Sequence, residues 1–590
     1  MDDKKRLRSE DWFNNLSDPK ITALYLERYL NYGLTRDELQ SGRPLIGIAQ
    51  TGSDISPCNR IHLQTAERAR DGIRDAGGIP FVFPMHPIQE SCRRPTSGLD
   101  RNLAYLGLVE IMRGYPFDGI VLTTGCDKTT PAALMAAATV NLPSIVLSGG
   151  PMVDSYLDGR LAGAGTVIWE ARKRLAAGEI DYDGFMMMLE STTLSPGHCN
   201  TMGTALTMNC LAEALGMSLP GCAGIPAPFR QRGQMAYQTG RRIVEMVHED
   251  LRPSEIMTRE AFENVVVVNS AIGGSTNAPP HIQAIAKHMG VEMVVEDWQE
   301  IGYEIPLLVN CQPTGDFLGE GFHRAGAVPA VMLELLQAGR IHGGCKTVSG
   351  KSVAENISGR ESLDRQVIMP FDSPLIPQAG FMVLSGNLFD AALMKTSGIS
   401  AKFRKRYLCE PGNENCFDAR AIVFEGPEDY HDRINDAALM IDDSCILVIR
   451  GCGPIGYPGS AEVVNMQPPD EMIAAGISEL PTMGDGRQSG TSSSPSILNA
   501  SPESLAGGNL ALLETGDMIR FDLNNSRVEL LISEHELHAR RDAYQPPELI
   551  NGSPWEELSR TYTGQLSDGA CLDFATAYRN LGDEPLRHSH

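Results

Sequence analysis

Val121-Leu122-Thr123-Thr124-Gly125-Cys126-Asp127-Lys128 carries an apolar, strand-like run into a glycine and then sets a thiol, a carboxylate and an amine on three consecutive residues. Consecutive side chains at a strand end point in different directions. Cys126 can therefore hold one inorganic centre while Asp127 and Lys128 face a second beside it. Working outward, apolar runs at residues 45–50, 79–84 and 145–148 flank the run at 120–124, and helical patterns at 62–75, 99–113 and 131–140 alternate with them. That βαβα order predicts an α/β fold whose N-terminal parallel sheet is covered by helices. Such sheets place their sites outside the carboxyl ends of the strands. Cys126 is at one such end, and Cys58, in Thr51-Gly52-Ser53-Asp54-Ile55-Ser56-Pro57-Cys58-Asn59, is at another.

Residues 1–42 are polar with aromatic interruptions (Trp12, Phe13, Tyr25, Tyr29) and read as an arm that packs on the body or on a partner subunit. Residues 43–370 read as the α/β domain, mostly helical between 170 and 300, with a further strand expected at 305–310 and a helix near 327–338. From 371 to 590 short β-like runs (381–384, 421–424, 446–449, 518–521, 528–532) separated by Gly, Asp and Asn predict a β-rich, barrel-like domain, and 586–590 reads as a tail.

Composition narrows the function. The 590 residues exceed what one core usually serves. The formal net charge of -24 argues against nucleic acid and against anionic membranes as partners, so the expected partner is a small molecule. An anionic substrate would need a bound cation to attract it locally. The first eight residues are too charged for a signal peptide and no apolar run reaches spanning length. The expectation is a cytoplasmic protein without membrane association. Thirteen scattered cysteines then suit reduced thiols better than disulfides.

Three of those cysteines, Cys58, Cys126 and Cys199, lie in Gly- or Pro-containing loops with polar neighbours. Thiolates suit iron–sulfur clusters or zinc, and three of them leave one metal position open. Their spacing of about seventy residues matches no local cluster motif, so buried structural thiols remain the competing reading. Glu90, Asp127 and Glu462 offer hard oxygen ligands of the kind magnesium takes; each alone reads first as a helix cap or a solvated charge. Gly484-Asp485-Gly486-Arg487-Gln488-Ser489-Gly490-Thr491 can hold an anion or present a hydroxyl, or can be an exposed linker. Gly451-Cys452-Gly453-Pro454-Ile455-Gly456 fits the spacing of a dinucleotide-binding turn, but Pro454 removes a donor and no helix opens after it. His535 and His538, three apart, read as surface residues.

Taken together, Thr124 to Ala132, Gly197 to Ala205 (Gly-His-Cys-Asn-Thr-Met-Gly-Thr-Ala), Gly273-Gly274-Ser275-Thr276-Asn277-Ala278 and Asp485-Gly486-Arg487-Gln488-Ser489-Gly490 resemble the dihydroxyacid and sugar-acid dehydratase family over essentially the whole chain. The resemblance implies a 2Fe-2S cluster, with 4Fe-4S as the alternative, held by Cys58, Cys126 and Cys199. It also implies a magnesium ion held by Glu90, Asp127, Glu462 and a carbamylated Lys128. It implies Ser489 as catalytic base with Thr491 beside it, and a homo-oligomer, a dimer or a tetramer built from dimers. Gln488 stands where the dihydroxyacid branch tends to have Phe, and Ser460-Ala461-Glu462 replaces its Met-Pro-Glu-Met run. That departure points to the sugar-acid branch, with the pentonate D-xylonate the expected substrate, L-arabinonate its rival, and branched-chain dihydroxyacids the outgroup. The implied reaction is loss of water across C2 and C3 to give a 2-keto-3-deoxy acid.

Overall fold

The computed structural model describes residues 6–492 and 495–585; the charged start at 1–5 and the expected tail at 586–590 lie outside the described residues. Four parallel strands, β1 (Leu45–Gln50), β2 (Ile79–Pro84), β3 (Gly119–Thr124) and β4 (Ser144–Ser148), form a sheet in the order β2-β1-β3-β4. Register sets Ile46 opposite Gly119 and Ile120 opposite Ser144. β3 and β4 are buried along their whole length, as strands covered on both faces must be. The crossover helices His62–Asp75, Ser97–Gly114 and Thr129–Val140 fall on the expected helical patterns, and every residue of the last is buried. Gly47 admits no side chain: a Cβ there would stand 2.8 Å from Ile120 Cδ1. The helices over 6–39 pack onto this body. Trp12 stacks on Tyr25 at 4.1 Å and Tyr29 on Phe81 at 5.1 Å, and the Asp118 carboxylate accepts from Ser9 Oγ and the Leu45 amide, both at 2.7 Å.

The run at 305–310 is not a strand. It makes single bridges, Leu307 to Ile376 and Val309 to Ile368, and the amides of Leu308 and Val309 both donate to the Ala271 carbonyl at the end of a helix. Pro306 interrupts the donor row that a ladder would need. After a small hairpin of β5 (Tyr156–Leu157) and β6 (Arg160–Leu161), the remaining strands belong to the second half.

There β7 (Phe381–Gly386), β8 (Ala391–Lys395), β9 (Cys416–Phe424), β10 (Cys445–Ile449), β11 (Thr482–Gly484), β12 (Ser496–Ser501), β13 (Met518–Asp522) and β14 (Arg527–Leu530) close into a mixed barrel in the order β10-β11-β12-β8-β7-β14-β13-β9. The period-2 alternation of strands sorts the side chains. Ala421, Val423, Ile446, Val448, Ile519, Phe521 and Val528 fill the interior, while Ile422, Phe424, Leu447 and Ile449 join a second cluster outside it. β9, β10 and β11 run parallel, so the loops after β10 and β11 leave from the same end. No helix among the described residues is long and apolar enough to cross a membrane.

Candidate functional site

The loops after β1 and β3 touch. The Cys126 amide donates to Asn59 Oδ1 at 2.7 Å, and a Cβ on Gly125 would collide with that same oxygen. Gly125 is therefore required by a close backbone approach. Asn209, from the helix Thr204–Ala214, accepts from Thr124 Oγ1 at 2.8 Å and donates to the Gly125 carbonyl at 3.0 Å. His62 donates from Nε2 to the Thr124 carbonyl at 2.7 Å and accepts at Nδ1 from Thr65 at 2.9 Å; burial holds its pKa down to about 4, so it braces the strand end as a neutral ring. Gln89 accepts from the Cys58 amide at 2.7 Å.

These braces bring the three expected thiols into one neighbourhood, all of them free. The Cys126 thiol is pushed well above its usual pKa by a hydrogen bond with Cys58, then by burial and by Asp127. Cys199 is pushed up to about 12 by burial, with Cys58 and Asp127 adding repulsion. Burial and acidic neighbours thus favour the neutral thiol at Cys126 and at Cys199, and an electrophilic metal would draw those protons off. Two buried hydroxyls beside these loops, Thr130 Oγ1 and Thr201 Oγ1, have no hydrogen-bond partner among the described residues. Three thiols with spare hydroxyl donors fit a cluster whose sulfides accept hydrogen bonds.

Beside the thiols, carboxylate oxygens of Glu90, Asp127 and Glu462 all lie within 4.8 Å of one another. The first two come from the α/β half and the third from the loop after β10. Lys128, fully buried, places Nζ 2.7 Å from Glu90 Oε2 and 2.8 Å from Asp127 Oδ2. Burial favours its neutral amine, but Asp127 and Glu90 outweigh that and raise its pKa. Arg487 donates to Glu462 Oε1 and Asn277 Oδ1, both at 2.9 Å, and reaches Glu90 Oε1 at 3.4 Å. Glu90 also accepts from Thr96 at 3.0 Å and from Ser97. Burial opposes its ionisation, yet Lys128 and Arg487 hold it below the usual carboxylate range; Glu462 is pushed up to about 8 by burial and by Glu90. Three carboxyls thus face two cations, Lys128 and Arg487, which hold Glu90 ionised while Glu462 is raised toward its neutral form. The hard oxygen donors of this cage, close enough to converge on one small ion, fit magnesium, with the Lys128 ammonium standing where a cation would be held.

The motif from Asp485 onward links the halves. Asp485 accepts from the amides of Cys452 (2.8 Å), Gly451 (3.1 Å) and Ser504 (2.9 Å), and Glu503 accepts from those of Ile455 and Gly456, both at 2.9 Å. The Gly451–Gly456 turn thus wraps two carboxylates of its own chain rather than a phosphate. Gly490 lets the loop press on the first half, since a Cβ there would lie 2.7 Å from Ser275 Oγ. Ser489, partly exposed, has its Oγ 3.0 Å from Thr491 Oγ1, and Trp169 Nε1 donates to that threonine at 3.1 Å.

All nine expected residues therefore fall at the junction of the two halves. Asn59 and Asn277 stood inside quoted motifs but had no role assigned; both prove to be braces, Asn277 donating to Glu462 at 2.6 Å and to the Gln488 carbonyl at 3.0 Å. Trp169, Asn209, Thr96 and Ser97 carried no sequence signal. His535 and His538 are exposed on a surface helix, as expected.

Two family models match along the chain, the dihydroxy-acid/6-phosphogluconate dehydratase N-terminal region over residues 43–356 and its C-terminal counterpart over 366–570. D-xylonate dehydratase of Caulobacter vibrioides is 61% identical over 586 residues, 99% of this chain and 98% of that protein. L-arabinonate dehydratase of Rhizobium leguminosarum bv. trifolii is 43% identical over 588 residues, 99% of each. Dihydroxy-acid dehydratase of Caldanaerobacter subterraneus subsp. tengcongensis is 36% identical over 524 residues, 88% of this chain and 91% of that protein. Both halves of the site lie within the matched regions, and the chain belongs to the dihydroxy-acid/6-phosphogluconate dehydratase family.

Proposed function

We propose that this dehydratase removes water across C2 and C3 of an aldonic acid, D-xylonate, to give the 2-keto-3-deoxy acid. Cys58, Cys126 and Cys199 would hold a 2Fe-2S cluster, the 4Fe-4S form being the alternative. Glu90, Asp127, Glu462 and carbamylated Lys128 would hold Mg2+. Carbamylation turns a cation into an anion, a change of two charge units that the dication restores, so the cage keeps its net charge. When bound, the two groups supply Lewis acidity, the dication to the substrate's carboxylate end and the cluster to the departing C3 hydroxyl.

The chain's own residues do the rest. Ser489 Oγ takes the C2 proton, held in place by its amide hydrogen bond to Asn465 Oδ1 at 3.2 Å and by its contact with Thr491. Arg487, two residues earlier, aligns Glu462 with Glu90 and so sets the serine loop relative to the cage. The observation that carries this reading is Arg487 gripping Glu90, 397 residues away, and Glu462 at once. One guanidinium ties the base's loop to oxygen ligands from both halves.

The division into an arm (1–42), an α/β domain carrying the cluster and magnesium (43–370) and a barrel domain carrying the base (371–590) belongs to the same proposal, as do a cytoplasmic location and a homo-oligomeric assembly. D-xylonate is favoured over L-arabinonate by the name of the 61% identical relative; the 43% and 36% relatives supply the alternatives, L-arabinonate or another sugar acid and a branched-chain dihydroxy acid. Turnover of D-xylonate, L-arabinonate and 2,3-dihydroxyisovalerate by the iron- and magnesium-loaded protein, followed by 2-keto acid formation, tests it. D-xylonate should give the highest kcat/KM, and a preference for 2,3-dihydroxyisovalerate would overturn the sugar-acid assignment.

A further inference from the structure

Trp169 lies on the helix Thr166–Ala176, outside every motif, yet its indole Nε1 donates to Thr491 Oγ1 at 3.1 Å. An indole N–H can donate but cannot accept. The Thr491 proton therefore cannot go back to Trp169, and Ser489 Oγ, 3.0 Å away, is the acceptor that faces it. The Thr491 amide points at the same Ser489 oxygen from 3.4 Å. Either hydroxyl can be the donor in that pair; with Thr491 donating, Ser489 Oγ receives a hydroxyl proton and faces an amide, and its own proton points elsewhere. Donors aimed at an oxygen stabilise its ionised form and lower its pKa.

Two features hold the indole there. Arg172 sits over the Trp169 ring at 5.2 Å, a cation–π contact that fixes the ring plane. Gly165, at φ +91°, brings the start of the helix against the catalytic loop, where a Cβ would stand 2.6 Å from Thr491 Cγ2. The first fixes the donor ring and the second lets the helix start pack directly on Thr491.

We propose that Trp169 is a positioning residue that orients the Thr491 hydroxyl as a donor to Ser489 and so eases ionisation of the base. The proposal rests on Ser489 being the base, as put forward above. It is separable from the carboxylate cage, because the Trp169 indole donates to Thr491 and packs against Arg172, neither of which is a thiol or a proposed magnesium ligand.

A pair of substitutions separates the N–H from the bulk of the ring. Trp169→Phe keeps an aromatic ring and removes the donor. Trp169→His removes the benzo ring but carries an N–H at the matching position of its five-membered ring. With D-xylonate as substrate, Trp169→Phe should lower kcat about 10-fold, the effect of one lost hydrogen bond feeding a charged oxygen. KM should change little, and the rising limb of the kcat–pH profile should move to higher pH. Trp169→His should recover most of the loss. In a Thr491→Val background Trp169→Phe should cost nothing further, since the relay is already cut. The opposite ranking, with Phe active and His not, or a Phe loss that adds fully to that of Thr491→Val, would reduce Trp169 to packing and overturn the inference. Ser489→Ala, assayed alongside, distinguishes the two proposals: if it stays active the assignment of the base has failed. If it is inactive while Trp169→Phe matches wild type in kcat and pH profile, only the relay has failed.

Discussion

The thiol side and the carboxylate side of the site meet at Asp127, but they balance charge in opposite ways. On the carboxylate side Lys128 and Arg487 supply internal cations, and Glu90 stays ionised in a nearly dry setting. On the thiol side burial, Cys58 and Asp127 act on both Cys126 and Cys199, and both are driven toward the protonated form. One side is a cage that its own residues can neutralise. The other is a set of buried thiols whose ionised form would need a cation from outside the chain. Buried anions need partners, and the difference lies in who supplies them.

The largest effect expected is one that disturbs neither side. Ser489→Ala should lower kcat by on the order of 10²–10⁴-fold, the usual contribution of a positioned base, while iron and magnesium contents stay at wild-type levels. A variant that turns over normally removes Ser489 from the chemistry. Next, Arg487→Lys keeps a cation but loses the fork that spans Glu462, Asn277 and Glu90. Magnesium affinity should drop about 10–100-fold, the range seen when residues behind metal ligands are changed, with the visible spectrum unaltered. A titration of activity against magnesium reads this directly, and an unchanged midpoint would mean that the guanidinium fork does not organise the cage.

The smallest effect sharpens the rule about partners outside the site. Glu213 accepts from the amides of Gly221 (2.6 Å) and Ala223 (2.8 Å), with Arg232 and Arg360 acting only at longer range, and burial pushes its carboxyl up to about 7. The folded state therefore binds this proton more tightly than the unfolded chain, whose carboxyl titrates near 4.5. The associated stability is complete below that value and is lost as pH rises through about 7. Glu213→Gln should flatten the decline of Tm between pH 5 and pH 8 by on the order of a few degrees. An unaltered slope would show that Glu213 does not titrate in that window.

Much of this was legible from residue order alone, and the reasons are local. Glycine and polar residues closing the apolar run at 119–124 mark a strand end, and the buried helix Thr129–Val140 that follows makes the crossover unit readable. The barrel was less so. Ala391–Lys395 favours helix by composition, Thr482–Gly484 is three residues long, and Ser496–Ser501 is half polar, so these strands are dictated by partners rather than by pattern. The same holds within the site. Cys126, Asp127 and Lys128 announce themselves by adjacency, whereas Trp169 gains its role only because folding sets it beside Thr491, 322 positions later. The Gly451–Gly456 turn teaches the converse, since its glycines serve Asp485 and Glu503.

The contrast between the two sides is tested most directly by the metal content of Cys199→Ser and Glu462→Gln purified alongside the wild type, with visible spectra. Two separate centres predict that Cys199→Ser loses iron and its colour, and that Glu462→Gln loses magnesium while keeping both iron and spectrum. Wild-type protein without iron, or a Glu462→Gln variant that loses iron and magnesium together, would contradict the account.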